Sequence, residues 1–154
     1  EGRYIANDWL SFEGAVGYLN AAYEEYFSRD PLGNVLDYSD LSLKHTPEWT
    51  GSLGVVVNTR LGAYDSTFRV DAAYMGEQYS DVQNQPLLKG EAHTLLNASA
   101  HFRADNGLSF GIEGQNLTDE QVIKEGFDAT GSFGFIEAYY NPPRRIFATV
   151  KYAF

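Results

Sequence analysis

The chain has 154 residues, no cysteine, 15% aromatic residues and a formal net charge of −10 at pH 7. This acidic balance argues against a nucleic-acid partner and against docking on anionic lipid headgroups, and without cysteine no disulfide framework can form. The mean hydropathy is −0.34 and no run of about 18 apolar residues occurs, which excludes a helical membrane bundle.

Six segments alternate apolar and polar residues with a period of two, as β-strands with one apolar face do. They run over about 9–27, about 47–60, a third stretch to about Tyr79, a fourth to Asp105, a fifth to about Gln115, and Arg145 to Phe154. The apolar set includes Leu10, Phe12 and Val16; Leu53, Val55 and Val57; Phe68, Val70 and Tyr74; Leu96, Ala98 and Phe102; Leu108, Phe110 and Ile112; and Ile146, Val150 and Tyr152. None of these positions is charged, whereas an even spread would place about five charges on the apolar faces.

Short and long connections alternate between these segments. Tight turns are expected around Gly62 and at Asp105-Asn106-Gly107, because Asn and Gly accept the positive φ angles of hairpin turns. Long polar loops are expected at about 28–46, 80–92 and 118–143. Short turns at one end and longer loops at the other are typical of transmembrane β-barrels.

The sequence therefore predicts an all-β fold: an antiparallel transmembrane β-barrel segment of about six meander strands, forming one unit over residues 1–154. Six strands are too few to close a barrel in lipid, because single-chain bacterial barrels begin at about eight strands and open edges leave backbone groups unpaired. We expect the missing strands to come from a larger barrel or from another polypeptide. The alternative is a self-contained soluble β-sandwich, or a small oligomeric barrel, with a binding or structural role.

Several motifs, in their order and spacing, resemble the C-terminal barrel segment of TonB-dependent outer-membrane receptors of the iron-complex type. The clearest are Gly114–Glu120, then a loop of about two dozen residues, then Pro143-Arg144-Arg145 and a strand ending at Phe154. Gly17–Ala21, His45–Trp49, Gly76–Tyr79 and Leu95–Ala98 resemble further strand motifs of the same family.

This resemblance implies the last part of a 22-stranded barrel, without the plug domain and energy-coupling box of the family. It implies uptake of a scarce nutrient, most often a ferric siderophore or other iron complex, energised by TonB through that plug. The expected location is the bacterial outer membrane, with the long loops extracellular and the C-terminus periplasmic. No signal peptide begins at Glu1, so the chain is either mature or begins elsewhere.

The resemblance also implies partners: outer-membrane lipid, the remaining strands and plug of the receptor, TonB, and the barrel insertion machinery. In this family the terminal aromatic residue is an assembly signal, which places that role on Tyr152 and Phe154. On the polar side of the strands, Arg69, Asp71 and Glu113 are predicted to face the lumen.

Aromatic residues gather in or beside the predicted extracellular loops. Candidates for contact with substrate are Tyr38, Tyr79, Tyr139, Tyr140 and Arg144, because aromatic rings and arginine suit planar, often anionic chelates. The alternative for each ring is a place in an interfacial belt or a packed loop tip.

Other site chemistry is not favoured by the sequence. Ser99 and His101 share a predicted strand face, as a hydrolase would need, but plain alternation produces the same pairing, and we predict no catalytic residues. The loop acids Asp30, Asp37 and Asp40 do not have the spacing of a calcium loop. We predict no metal site and no cofactor.

Overall fold

A computed structural model describes residues 1–30 and 32–153. In chain order its strands are β1 (Gly2–Asn7), β2 (Leu10–Tyr18), β3 (Phe27–Arg29), β4 (Val35–Asp37), β5 (Trp49–Leu61), β6 (Tyr64–Met75), β7 (Gln78–Tyr79), β8 (Lys89–Gly90), β9 (His93–Ala104), β10 (Leu108–Gln115), β11 (Ile123–Asp128), β12 (Ile136–Tyr140) and β13 (Arg145–Tyr152). Seven of them form one antiparallel sheet in the order β1-β2-β5-β6-β9-β10-β13. Each long strand pairs with the next long strand along the chain, so the predicted meander is confirmed.

The strand register joins the predicted apolar positions into one continuous surface, here called the apolar face. Its central row consists of Phe12, Val55, Val70, Ala98, Gly114 and Ile146. A slip of one residue in any strand would have moved its apolar set to the other side of the sheet. The six patterns read separately from the sequence therefore belong to a single two-faced sheet.

The apolar face is not covered by any other part of the described chain. Val16 is 71% exposed, Leu53 59%, Ile112 52% and Val150 73%. The buried hydrophobic residues of the described part are Leu88, Val122 and Ala129, which lie in the long loops rather than on the sheet. A soluble sandwich would bury such a face under a second sheet, and residues 1–30 and 32–153 contain no such layer.

The sheet contains one strand that the alternation did not predict. β1 pairs with β2 through Arg3 opposite Glu13 and Tyr4 opposite Phe12, with a register irregularity between Ile5 and Asn7. Arg3 and Ile5 lie on the same side of this short strand, so its sequence shows no clean separation of polar and apolar residues.

Two predicted strands are shorter than expected. The first ends at Tyr18, opposite Trp49, instead of near residue 27. The chain opposite it reaches Pro47, which has no N–H to continue the ladder. The third ends at Met75, and Gln78–Tyr79 forms a separate short strand paired with Lys89–Gly90.

The asymmetry of the connections is confirmed. At one end of the sheet the strands are joined through residues 8–9, 62–63 and 105–107, and at the other end through residues 19–48, 76–92 and 116–144. Gly107 has φ 87°, and a Cβ at this position would lie only 2.2 Å from the carbonyl oxygen of Ala153, so this turn requires glycine.

The long loops have secondary structure of their own. They contain the hairpins β3–β4 and β11–β12, the pair β7–β8, a 3₁₀ turn at Pro86–Leu88 and a helical turn at Thr130–Phe133. Neither helical segment of the described chain is long and apolar enough to span a bilayer.

The sheet is open within the described residues. β1 pairs there with β2 alone, and β13 with β10 alone. Each outer strand thus presents unpaired backbone N–H and C=O groups to whatever lies beside it.

If the apolar face contacts hydrocarbon, a charge placed on it should destabilise the protein, whereas the same charge on the opposite face should not. Leu53 and Ser52 are adjacent on β5, are both exposed and point to opposite sides. We expect Leu53→Lys to lower the free energy of unfolding in lipid vesicles by about 2 kcal/mol or more. Ser52→Lys is the matched control and should change it by less than about 0.5 kcal/mol. Equal effects of the two substitutions in urea titrations would contradict lipid contact.

Candidate functional site

The side of the sheet opposite the apolar face carries its charged residues and is here called the polar wall. Arg69, Asp71 and Glu113, which the sequence analysis assigned to one surface, all lie on it. Arg69 on β6 is opposite Ser99 on β9, and Ser99 is opposite Glu113 on β10. The structure therefore brings these three predicted residues onto one face, on β6 and β10, which are separated by β9.

A chain of hydrogen bonds, three of the four charge-assisted, crosses the polar wall. The Arg69 guanidinium donates to Glu13 at 2.7 Å and to Asp71 at 3.1 Å. The other Asp71 oxygen accepts from the Asn97 side-chain amide at 2.9 Å, and Asn97 Oδ1 accepts from the Asn116 backbone N–H at 3.0 Å. The side chains of Arg69 and Glu13 are 40% and 35% exposed, so water screens this ion pair and it contributes little to the stability of the fold. The main effect of the chain of bonds is to fix where these side chains point.

Two glycines allow long side chains to lie flat on the polar wall. Gly54 lies between Glu13 and Asp71 in the register, and a Cβ added to it would lie 3.1 Å from Arg69 Nη2. A Cβ on Gly111 would lie 2.5 Å from Nδ1 of His101, the residue directly opposite it. Both glycines are buried because these side chains cover them.

A side chain at Gly54 should therefore weaken the Arg69–Glu13 ion pair. We expect a double-mutant cycle on Arg69 and Glu13 to give a small favourable coupling energy, which falls towards zero in a Gly54→Val background. Gly51→Val on the same strand is the control, because a Cβ there meets only the Ala15 carbonyl oxygen at 3.5 Å. Unfolding in urea measures each free energy, and a coupling unchanged by Gly54→Val would contradict the role of this glycine.

The serine and histidine considered for hydrolysis are not joined. His101 Nε2 lies 3.4 Å from a carboxylate oxygen of Glu113, and the described residues show no hydrogen bond between Ser99 and His101. Nor do residues 1–30 and 32–153 contain a group of three or more His, Cys, Asp or Glu side chains that could hold a metal ion.

The segment after β10 is a structural junction whose role the sequence analysis missed. Asn116 is 5% exposed and has φ 51°, and its amide donates to the carbonyl oxygens of Glu120 and Pro142. Asp119, with φ 58°, accepts a 2.7 Å hydrogen bond from the Arg144 backbone N–H. Asn and Asp tolerate this left-handed conformation, which was the available signal. The motif therefore ties the end of β10 to the start of β13.

The five candidate substrate contacts lie on three separate loops. The Tyr38 ring is 5.7 Å from that of Tyr26, and the backbone carbonyl of Tyr79 accepts from His45 N–H at 2.9 Å. Tyr139 donates from its hydroxyl to Glu137 at 2.6 Å, which raises the pKa of Tyr139, and the neighbouring Tyr140 is 57% exposed.

Arg144 donates from Nη1 to the Leu117 carbonyl at 3.4 Å. Within the described ranges, no hydrogen bond or ring contact joins any two of these five residues.

Of the two residues of the predicted assembly signal, the structure describes only Tyr152. Tyr152 is 62% exposed and belongs to the apolar face, opposite Leu108. Phe154 lies outside the described residues.

The long loops are tied to one another above the sheet. The Gln85 side-chain amide donates to Asp128 at 2.8 Å, and His45 Nε2 lies 3.2 Å from a Glu125 carboxylate oxygen. The backbone of Lys44 forms an isolated parallel β-bridge with Tyr79. Leu88 is fully buried, and a Cβ on Gly126 would lie 2.4 Å from its side chain. The loops also hold 14 of the 21 acidic residues of the chain and only five of its 11 basic residues. The net negative charge is therefore concentrated at the loop end.

Hydrogen bonds from Thr130 and then from Gln85 hold the pKa of Asp128 below its usual value. A lowered carboxyl pKa stabilises the fold above the pKa of the unfolded chain, and this stabilisation is lost as the pH falls through the lower folded value. We expect Thr130→Val to raise the Asp128 pKa towards the ordinary value of about 3.9, and Gln85→Ala to raise it by less. Carboxyl-carbon NMR titration in detergent micelles measures both, and an unchanged pKa in the two variants would contradict the assignment.

No family model matches the sequence, and comparison with curated proteins gives no match. Among solved structures, the fold is similar to the siderophore receptor PiuA from Acinetobacter baumannii, with a TM-score of 0.74 and 17% identity over 97% of this chain and 20% of that one. For the ferric yersiniabactin uptake receptor FyuA from Yersinia pestis the TM-score is 0.73 at 14% identity, over 95% of this chain and 21% of that one. For the complex of FpvAI with pyocin S2 the TM-score is 0.61 at 17% identity, over 96% of this chain and 18% of that one.

The chain thus spans about a fifth of the length of each structure that it matches. At these identities the similarity establishes the fold and not the ligand. The resemblance to TonB-dependent receptors is confirmed at that level: the chain has the fold of a segment of the β-barrel wall of siderophore receptors.

Proposed function

We propose that this chain forms seven strands of the barrel of an outer-membrane receptor that takes up a scarce nutrient. The substrate is a ferric siderophore or another iron complex, and TonB supplies the energy through a plug domain contributed by the rest of the receptor. In this proposal the chain has no catalytic role. It supplies part of the wall and three of the extracellular loops.

The observation that carries the proposal is the uncharged, uncovered face of an open sheet whose other face is charged and hydrogen-bonded. Such a face is stable next to hydrocarbon, where every backbone group must also be paired. The polar wall would then line an aqueous interior, as in transmembrane barrels. The unpaired edges of β1 and β13 are the places where further strands of the receptor would join.

The loops support the proposed orientation. In bacterial barrels the longer connections are extracellular and the short turns periplasmic. By that rule Tyr38, Tyr79, Tyr139, Tyr140 and Arg144 lie on the outer surface, where ligand arrives, and β13 ends in the periplasm. In this proposal Tyr152 and Phe154 form the signal that the barrel insertion machinery recognises. Arg69, Asp71 and Glu113 would border the route that opens when the plug moves.

Transport by intact cells tests the proposal. Under iron limitation, deletion of the gene should abolish uptake of at least one ⁵⁵Fe-labelled chelate from a panel of siderophores, and the intact gene should restore it. A protonophore should stop accumulation but leave surface binding, because TonB transmits inner-membrane energy. Uptake of a second chelate through another receptor is the control. Unchanged uptake of every chelate, together with recovery of the protein as a soluble monomer, would contradict the proposal.

A further inference from the structure

A polar groove of about 500 Å³ lies where the polar wall meets the third long loop. Its lining includes Asp71, Asn97, Glu113, Gln115, Lys124 and Arg145. Strands β6, β9, β10 and β13 contribute to it, and β11 provides Lys124 from the loop side. The volume is in the range of small-molecule sites, which is about 300–1,000 Å³.

Asp71 already has partners, and the other carboxylate of this groove, Glu113, faces a histidine. Asp71 accepts from Arg69 at 3.1 Å and from Asn97 at 2.9 Å. Glu113 is directed towards His101, with 3.4 Å between Nε2 and the carboxylate oxygen. In the register, His101 lies on the short-turn side of Glu113 and Arg145 lies on the loop side. The Glu113 carboxylate therefore points away from Arg145.

Among residues 1–30 and 32–153, the two cations of the groove have no acidic partner. Arg145 donates from Nη2 to the neutral side-chain amide of Gln115 at 2.8 Å, and its guanidinium lies 5.6 Å from the centre of the Phe147 ring. These two contacts hold the guanidinium in place and leave further N–H donors unused. Lys124 makes no ion pair or hydrogen bond through its ammonium group with any residue of the described ranges.

The sequence analysis favoured Arg144 as the ligand cation, but its neighbour Arg145 is better placed. Arg144 is bound to the junction after β10 through Asp119 and Leu117, whereas Arg145 lines the groove. A guanidinium and an ammonium that lack a counter-ion within the described ranges suit an oxygen anion such as a carboxylate.

The geometry points to this groove as a binding site for a carboxylate-type anionic group, held by Arg145 and Lys124. The inference rests on the proposed function, because it requires the polar wall to face an aqueous interior. The anion has two sources: the transported chelate, or an acidic side chain of a polypeptide segment inside the receptor. The test below separates them.

This chain has no cysteine, which allows a test that does not depend on the identity of the ligand, with the unsubstituted receptor as the control for thiols elsewhere in it. Ser99 lines the groove and makes no hydrogen bond through its hydroxyl within the described chain, so Ser99→Cys introduces one nearly isosteric thiol. In full-length receptor in outer membranes, its reaction rates with an anionic sulfonate and a cationic trimethylammonium methanethiosulfonate are measured. The ratio of the two rates is compared with that for free cysteine.

If the groove is open and takes the anion from the transported chelate, the anionic reagent should be favoured by roughly five-fold, since two cations attract one reagent and repel the other. Arg145→Gln and Lys124→Gln should each reduce the preference. Lys151→Gln, on the same strand and face as Arg145 but at its other end, is the matched control and should leave it unchanged.

If an acidic side chain of an inner segment occupies the groove, both reagents should react slowly, and Arg145→Gln should accelerate both. That result also supports the anion site and assigns its source. A preference for the cationic reagent, or rates that neither Arg145→Gln nor Lys124→Gln changes, would overturn it. In that case, a receptor that is still heat-modifiable in gels and still transports iron would show that the site is wrong and the proposed function is intact.

Discussion

Every other feature of this chain depends on one constraint: a single layer of strands must satisfy its backbone hydrogen bonds internally while its two faces meet different surroundings. The antiparallel ladders meet the first requirement from β2 to β10. Strict alternation meets the second, because each strand assigns one set of residues to each side. A soluble sheet buries its apolar side against a second layer. The described part of this chain contains no second layer.

The polar wall shows how the charged side is organised. Glycine at positions 54 and 111 lets Arg69 and His101 lie along neighbouring strands instead of projecting from the sheet. Arg69 then donates hydrogen bonds to two carboxylates on different strands, Glu13 and Asp71. These bonds fix the direction in which the three side chains point. At the loop end of this wall, Arg145 and the nearby Lys124 have no acidic partner within the described ranges.

Much of the sheet could be predicted from the sequence because its physics is local. Leu53, Val55 and Val57 predict a strand and its apolar side without any information about the strands that pair with it. Asn106-Gly107 likewise predicts a turn. β1 was missed because Arg3 and Ile5 share one side, so only its pairing with β2 reveals it. Loop hairpins were missed for a related reason: their side chains pack on other loops, as Leu88 does at Gly126.

The groove could not be predicted from the sequence for a different reason. Lys124 and Arg145 are far apart in the sequence and share the groove only because the β11–β12 hairpin brings the chain back over the end of β10. The alternation correctly placed Arg69, Asp71 and Glu113 on one face. It gave no means of deciding between Arg144 and Arg145, since that depends on which one the junction at Asp119 engages.

If the chain is part of a receptor barrel as proposed, with its long loops outside the cell, the uneven distribution of charge has a consequence for how molecules reach the interior. An anion diffusing in from outside would first cross an acidic layer of loops and only then meet the two cations below. Mobile ions screen exposed charges beyond about 8 Å at physiological salt, so the repulsion acts mainly on molecules already close to the surface. The acidic loops would repel multiply charged anions, whereas a neutral or cationic molecule carrying one local carboxylate would pass. The loops would thus act as a charge filter, with a selectivity that weakens as the ionic strength of the medium rises.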